Sequence, residues 1–141
     1  MGSYPVIDLR AILYDGSFHE VDSSDIAFKV AGSLALKEGV RRAHPVLLEP
    51  MMKMEVDTPE DFLGDILGDL NSRRAQITSI DTLGATKIIR CLIPLAETFG
   101  YATDLRSVSQ GRATHSMEFY RYDELPQPLA EELVVKVRGV V

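Results

Sequence analysis

The pattern of hydrophobic and polar positions divides the chain into a short N-terminal part and a longer second part. Between Val6 and Leu13 apolar and polar residues alternate, which is the period of a half-buried β-strand. After residues 21–25, which are rich in helix N-cap side chains, apolar residues recur at helical spacing. They predict a helix from about 23 to 43. Residues 4–45 are therefore expected to hold one strand, a turn and one long helix.

The second part, residues 46–141, has the pattern of seven elements in the order strand, helix, strand, strand, helix, strand, helix. We predict these elements at 46–57, 58–70, 76–80, 86–93, 97–108, 113–122 and 129–138. The first six follow the βαββαβ order of the ferredoxin-like fold, in which two helices cover one face of an antiparallel sheet. The predicted fold class is thus α+β.

Two local signals refine the first helix of this second part. Thr58 followed by Pro59 is typical of a helix start, with threonine as the N-cap and proline in the first turn. Gly64 and Gly68 lie one turn apart, and each costs about 1 kcal/mol relative to alanine in a helix. We interpret the pair as a sign of close backbone packing against the sheet, with a functional hinge as the alternative.

Composition narrows the class of protein. Apolar residues make up 45% and charged residues 26% of the chain, which argues against intrinsic disorder. No apolar run is long enough to span a bilayer, and the N-terminus does not resemble a secretion signal, so a cytoplasmic location is expected. The single cysteine, Cys91, lies in an apolar run and is predicted to be buried, and one cysteine with three histidines cannot form a disulfide or a structural zinc site.

Three stretches could bind nucleic acid, although the net charge of −6 requires any such contact to be small and local. In the loop 15–22, Phe18 and His19 could stack on unpaired bases, but a loop histidine is more often simply solvated. At the end of the predicted helix 58–70, Arg73 and Arg74 could bind phosphate, or could interact with the helix C-terminus.

The third stretch, Pro94–Arg112, is the most distinctive. Phe99 and Tyr101 form an exposed-looking aromatic pair around a glycine, and Arg106 and Arg112 flank a turn. These residue types suit contacts to an RNA backbone, and internal pairing of the charged groups is the alternative. No catalytic constellation or phosphate-binding glycine loop is present, so enzymatic activity is not expected.

Five blocks in order carry a resemblance to a known family. They are Tyr14–Ser24, Ala27–Ser33, Pro45–Pro50, Gly64–Arg74 and Pro94–Arg112. Together they resemble the C-terminal part of bacterial translation elongation factor G, a five-domain ribosomal GTPase. The likeness implies that residues 4–45 correspond to the second half of domain IV and residues 46–141 to the ferredoxin-like domain V.

The resemblance also implies site residues and partners. The tip of domain IV, which contacts the tRNA–mRNA complex in the decoding region, corresponds to Gly16, Ser17, Phe18 and His19. Domain V docks near large-subunit rRNA at the base of the L11 stalk, and the rRNA-binding candidates are Ser72, Arg73, Arg74, Arg106, Gln110 and Arg112. GTP and magnesium belong to a family domain that these residues do not match, so no cofactor or metal is expected here.

Two other functions and one further partner stay open at this point. The chain could come from a ribosome-protection or recycling paralogue, or could be a free-standing ferredoxin-like module that binds a small ligand. The strand at 6–13 would lack the sheet partners and N-terminal domains that the family supplies. We expect it to pair with a second copy or to pack on residues 46–141 of its own chain.

Overall fold

Two units make up the chain. The computed structural model describes residues 4–139, and residues 1–3 and 140–141 lie outside the description. Unit 1 comprises Met1–Leu47 and Pro126–Val141, and unit 2 comprises Leu48–Leu125.

Unit 1 contains two helices. Helix α1, Asp25–Arg42, begins after Ser24, whose hydroxyl accepts a hydrogen bond from the Ala27 amide at 3.1 Å. This N-cap satisfies one of the free amides of the first turn, so the predicted helix is confirmed with its predicted start. Helix α4, Gln127–Arg138, ends at Gly139 with a φ of 65°. No residue of either helix is buried.

The predicted strand at 6–13 is wrong for this structure. Residues 4–13 adopt no regular secondary structure, and their side chains are exposed. Asp8 has a φ of 55°, which interrupts an extended backbone. Alternation specifies a strand only where a neighbour pairs with it, and the four strands found within residues 4–139 all lie in unit 2.

Unit 2 is a four-stranded antiparallel sheet with two helices. Its elements are β1 Leu48–Pro59, α2 Leu63–Ser72, β2 Gln76–Leu83, β3 Thr86–Pro94, α3 Tyr101–Val108 and β4 Thr114–Glu124. The strand order is β2-β3-β1-β4, and every neighbouring pair is antiparallel. This is the ferredoxin-like arrangement that the βαββαβ order predicts, and a bulge in the β1–β4 pairing occurs between Met51 and Met52.

The core of unit 2 lies between the sheet and the two helices. Strand residues contribute alternate side chains, as expected for a sheet with one covered face. The buried apolar side chains that pack together in this core are Met54, Val56, Ile66, Leu70, Ile89, Cys91, Ile93, Tyr101 and Leu105. The predicted burial of Cys91 is thus confirmed, and burial raises the pKa of its thiol to about 11.

Two predictions about the start and face of α2 are wrong. Thr58 and Pro59 are the last residues of β1, because they still pair with β3, and the Thr58 hydroxyl donates to the Pro59 carbonyl instead of capping a helix. A single 3-10 turn at Glu60–Phe62 then precedes α2. Gly64 and Gly68 are exposed, and a Cβ placed on either would meet no atom within 4 Å, so no close packing explains them.

Candidate nucleic-acid interface

The tip loop before α1 is closed by hydrogen bonds among its own residues. The His19 amide donates to the Ser23 hydroxyl at 2.6 Å, and the Ser23 amide donates back to the His19 carbonyl at 2.9 Å. The Phe18 ring stacks on Phe28 of α1, with ring centroids 6.4 Å apart and planes 12° apart. The start of α1 therefore holds the loop, while Phe18 and His19 stay largely exposed.

The His19 imidazole is held on one side only. Its Nδ1 accepts a hydrogen bond from the Val21 amide at 3.4 Å and lies 3.5 Å from an Asp22 carboxylate oxygen. The side chain is 70% exposed, so its other nitrogen, Nε2, and the face of its ring are open to a ligand. Gly16 and Ser17 precede it in an exposed stretch of irregular backbone.

Arg73 is committed to contacts inside unit 2. Its guanidinium donates to the Asp69 carboxylate at 3.1 Å, to the carbonyls of Glu97 and Phe99 at 2.7 and 3.3 Å, and to Asp104. It also lies 5.1 Å from the centre of the Tyr101 ring, and only 13% of the side chain is exposed. Arg73 thus joins the end of α2 to the beginning of α3.

Arg74 is held by two acids. It donates two parallel hydrogen bonds to the Glu49 carboxylate at 3.0 and 2.9 Å, and a third to Glu97 at 3.3 Å. The hydrogen bonds to Glu49, more than its charge, raise the pKa of Arg74 above its ordinary value. Ser72 is exposed, but its hydroxyl donates to the Asp69 carbonyl at 2.6 Å. These contacts favour a structural role for the two arginines.

The end of α3 is closed by hydrogen bonds of its own backbone. The Gly111 amide donates to the Arg106 carbonyl at 2.8 Å, and the Gln110 amide points to the Ser107 carbonyl at 3.5 Å, which is the Schellman pattern of a helix end. Gln110 occupies the left-handed position with a φ of 54°, where glycine is usual. The turn brings exposed Arg106, Gln110 and Arg112 together around one helix end.

Arg106 and Arg112 are the available cations of this group. Within residues 4–139, neither side chain forms an ion pair. The Arg112 guanidinium lies 5.6 Å from the centre of the Phe62 ring, which orients it without consuming its hydrogen-bond donors. Planar guanidinium groups with free donors suit bidentate phosphate contacts.

The structure separates the six rRNA candidates into two groups. Arg73, at the end of α2, contacts the start of α3, whereas Arg112, after the end of α3, contacts Phe62 before α2. The two helices therefore run in opposite directions, and their C-terminal ends lie at opposite ends of the helical layer. Ser72, Arg73 and Arg74 belong to one end, and Arg106, Gln110 and Arg112 belong to the other.

Two features of the site were missed by sequence reasoning. Phe99 is 77% exposed, as expected, but its predicted partner Tyr101 is only 1% exposed and packs edge-on against His115. The acids that hold the arginines were also missed. The spacing of Asp69 and Arg73, four residues apart on one helix, could have indicated that pair, whereas Glu49 lies too far from Arg74 in sequence for any local signal.

Comparison with known proteins places the chain in a family. A family model described as elongation factor G, domain IV, matches residues 1–44, and a model described as elongation factor G C-terminus matches residues 46–133. The chain belongs to the elongation factor G family. It is similar to a crystal structure of a Thermus thermophilus protein, with 41% identity and a TM-score of 0.74 over 91% of this chain. The chain spans 19% of the length of that protein.

The two family matches make the chain a portion of an elongation factor G-like translation factor. The sequence-based resemblance and its ferredoxin-like C-terminal domain are confirmed. Within the described residues, no helix has both the length and the apolarity to cross a membrane, and no group of three or more potential ligands could hold a metal ion. The expectation that the chain itself binds no cofactor stays a prediction.

Proposed function

We propose that this chain contacts ribosomal RNA as part of a factor that moves tRNA and mRNA through the ribosome. The observation that carries the proposal is the pair of elongation factor G matches in one chain, domain IV at 1–44 and the C-terminus at 46–133. Both matches name elongation factor G, which favours this function over that of a ribosome-protection or recycling paralogue. The same matches disfavour a free-standing ligand-binding module.

The turn after α3 is the proposed contact with the large-subunit rRNA. Arg106 and Arg112 have free guanidinium donors at one helix end, and Gln110 adds an exposed amide. Phosphate contacts of this kind position a protein on RNA without reading its sequence. These two cations would account for most of the salt dependence at this surface, because that dependence follows the number of phosphates neutralised.

The tip loop is the proposed contact with the tRNA–mRNA complex. His19 offers a ring face and its Nε2 nitrogen, and the stack of Phe18 on Phe28 holds the loop against the start of α1. Exposed aromatic rings and imidazoles are the groups that bind unpaired bases in RNA. This surface belongs to unit 1 and is tested separately from the turn after α3.

Arg73 and Arg74 have a supporting role in this proposal. Their donors are occupied by Asp69, Glu97, Asp104 and Glu49, so little remains for phosphate. We propose that they hold the Glu97–Gly100 segment in place. Direct rRNA contact by Ser72, Arg73 and Arg74 stays a prediction.

Ribosome binding tests the proposal. Pelleting with 70S ribosomes is measured for the full chain over a series of salt concentrations. Arg106→Ala with Arg112→Ala should weaken binding and reduce the slope of log affinity against log salt by about 1.5, because each phosphate contact contributes about 0.7 to 0.9. His19→Ala should weaken binding with little change in slope and should remove a chemical footprint at the decoding region.

Matched controls separate specific contacts from net charge. Arg41→Ala with Arg42→Ala removes the same two charges from an exposed part of α1 and should leave the slope unchanged. His44→Asn is the control for His19→Ala. It replaces an exposed histidine at a position with a φ of 54°, which asparagine tolerates. Equal losses for the site and control pairs would overturn the assignment of the α3 turn. Binding that is lost only with Arg73→Ala, in a variant that still folds, would move the contact to the end of α2.

A further inference from the structure

The loop between β3 and α3 and the first turn of α3 have little local support. Gly100 occupies the N-cap position of α3 with a φ of 77°, and glycine has no side chain to cap the helix. The helix has only eight residues, and isolated helices shorter than about 12 to 15 residues are marginal in water. Within residues 4–139, no backbone amide donates to the carbonyls of Glu97 and Phe99. The start of α3 is therefore expected to depend on another element.

Arg73 supplies this support from the end of α2. Its Nη1 atom donates to the carbonyls of Glu97 and Phe99 at 2.7 and 3.3 Å, and its Nη2 atom donates to the Asp104 carboxylate in the first turn of α3. The guanidinium also lies 5.1 Å from the centre of the ring of Tyr101, the first residue of the helix. We propose that Arg73 is a positioning residue, which fixes the start of α3 and thereby places the rRNA contact at the other end of that helix.

These contacts require a guanidinium and not merely a positive charge. The Nε atom of Arg73 donates to Asp69, one turn earlier on α2, at 3.1 Å, so the plane of the group is set from its own helix. The two remaining nitrogens then face the loop and α3. Lysine carries its charge on a single nitrogen at the end of a flexible chain and cannot reproduce this fork. Arg73→Lys therefore removes the positioning and retains the charge.

The short length of α3 connects this anchor to the proposed rRNA contact. Arg106 lies in the helix, and the turn with Gln110 and Arg112 follows directly. Eight residues span about 12 Å, so a tilt of about 10° at the start moves the far end by about 2 Å. A displacement of that size is enough to break a hydrogen bond to phosphate. The effect on RNA binding rests on the proposed function of the α3 turn, whereas the anchoring of α3 does not.

Hydrogen exchange of the full chain tests the anchoring. The amides of Thr98, Tyr101 and Asp104 donate to carbonyls of the same segment and report on the loop and the first turn. In Arg73→Lys their exchange should become at least about tenfold faster relative to the slowest amides of β1 and β3, because charged hydrogen bonds are lost there. Asp104→Asn, which changes a 55% exposed side chain, should give a smaller increase at the same amides. A loss of overall stability alone would speed all of these amides alike.

Arg90→Lys is the matched control. Arg90 also donates to two carboxylates, those of Glu55 and Asp81, but it joins three strands of the sheet instead of the two helices. The substitution is the same and the charge is again retained. It should leave the exchange of the three reporting amides and the binding to ribosomes at their original values.

Ribosome pelleting separates positioning from direct contact. Arg73→Lys should weaken binding several-fold at the same slope of log affinity against log salt, because the charge is retained. In a chain that carries Arg106→Ala and Arg112→Ala, the same change should have no further effect, since Arg73 acts through these two residues. A direct contact of Arg73 with phosphate would give the same loss in both backgrounds.

Two results would overturn the proposal. One is exchange at the three reporting amides that is unchanged in Arg73→Lys, or that rises no more than in the sheet. The other is an equal loss of ribosome binding in both backgrounds. Original binding by the chain with Arg106→Ala and Arg112→Ala would overturn the proposed rRNA contact instead, and the exchange measurement would still decide whether Arg73 anchors α3.

Discussion

Truncation of Arg74, which pairs with Glu49, should destabilise unit 2 more than most changes of a single polar side chain. Glu49 is 8% exposed at the start of β1, and its carboxylate receives both parallel hydrogen bonds from Arg74. Arg74 also has a φ of 58° at the end of α2, where its amide and that of Ala75 complete a Schellman turn. The side chain therefore compensates for an unfavourable backbone conformation.

Removal of the arginine leaves a buried carboxylate without its partner. Loss of one member of a buried pair costs about 3 to 5 kcal/mol, and since 30% of the Arg74 side chain is exposed to water we expect about 2 to 3 kcal/mol for Arg74→Ala. Arg74→Gly should cost about 1 kcal/mol less, because glycine adopts the left-handed conformation freely. In a Glu49→Gln background, Arg74→Ala should cost less than about 1 kcal/mol.

Urea denaturation measures these differences. The chain has no tryptophan, so the signals are far-UV circular dichroism and the fluorescence of tyrosine, of which Tyr101 is buried. The pKa of Arg74 is raised in the folded state, so its contribution is present below its ordinary pKa and is lost only as the pH rises through the higher folded value. The effect of Arg74→Ala should therefore be equal at pH 7 and pH 9. Equal stability of the alanine and original chains, or a glycine variant less stable than the alanine variant, would refute the reasoning.

The remaining predictions concern the core and the helix ends. Burial raises the pKa of Cys91 to about 11, so the thiol ionises at a lower pH in the unfolded chain than in the folded one. The unfolding free energy should therefore fall by about 2 to 3 kcal/mol between about pH 9 and pH 11. Cys91→Ala should reduce this fall in urea titrations. Gln110→Gly should raise the unfolding free energy by about 1 kcal/mol, since the residue has a φ of 54°, and should weaken ribosome binding in pelleting assays. Gly64→Ala and Gly68→Ala should each raise the unfolding free energy by about 0.5 to 1 kcal/mol, because the new methyl group meets no atom. The thermal midpoint should rise accordingly. A drop in midpoint would show that these glycines have a packing role after all.

Local signals explain which elements were predictable. The α1 helix has its N-cap at Ser24 and the β2–β3 hairpin has a turn at Gly84, and both signals lie within a few residues of the structure that they determine. The prediction of a strand at 6–13 was wrong because a strand forms only when it pairs with another, and alternation does not encode that pairing. The prediction of Thr58 as a helix N-cap was wrong because β1 continues to pair with β3 through Pro59.

In the candidate site, too, local features were predictable and contacts between distant residues were not. The exposed tip loop and the turn at Gln110 and Gly111 were recognisable from residue types alone. The roles of Arg73 and Arg74 were not, because apart from Asp69 the acids that hold them come from β1, from the segment between β3 and α3, and from α3. An arginine at a helix end gives the same sequence pattern whether it binds a phosphate or a carboxylate 25 residues away in the chain.

The sequence by itself therefore determined the order of elements in residues 46–141, the family and the exposed residues at both proposed RNA contacts. Only the tertiary structure decided that α2 and α3 run in opposite directions and so separate the candidate cations into two groups. It also decided which of those cations are free, since Arg73 and Arg74 are neutralised by acids distant in the chain whereas Arg106 and Arg112 are not. The physical reason is that propensity and capping act within a few residues, whereas ion pairing and burial depend on which distant segments the fold brings together.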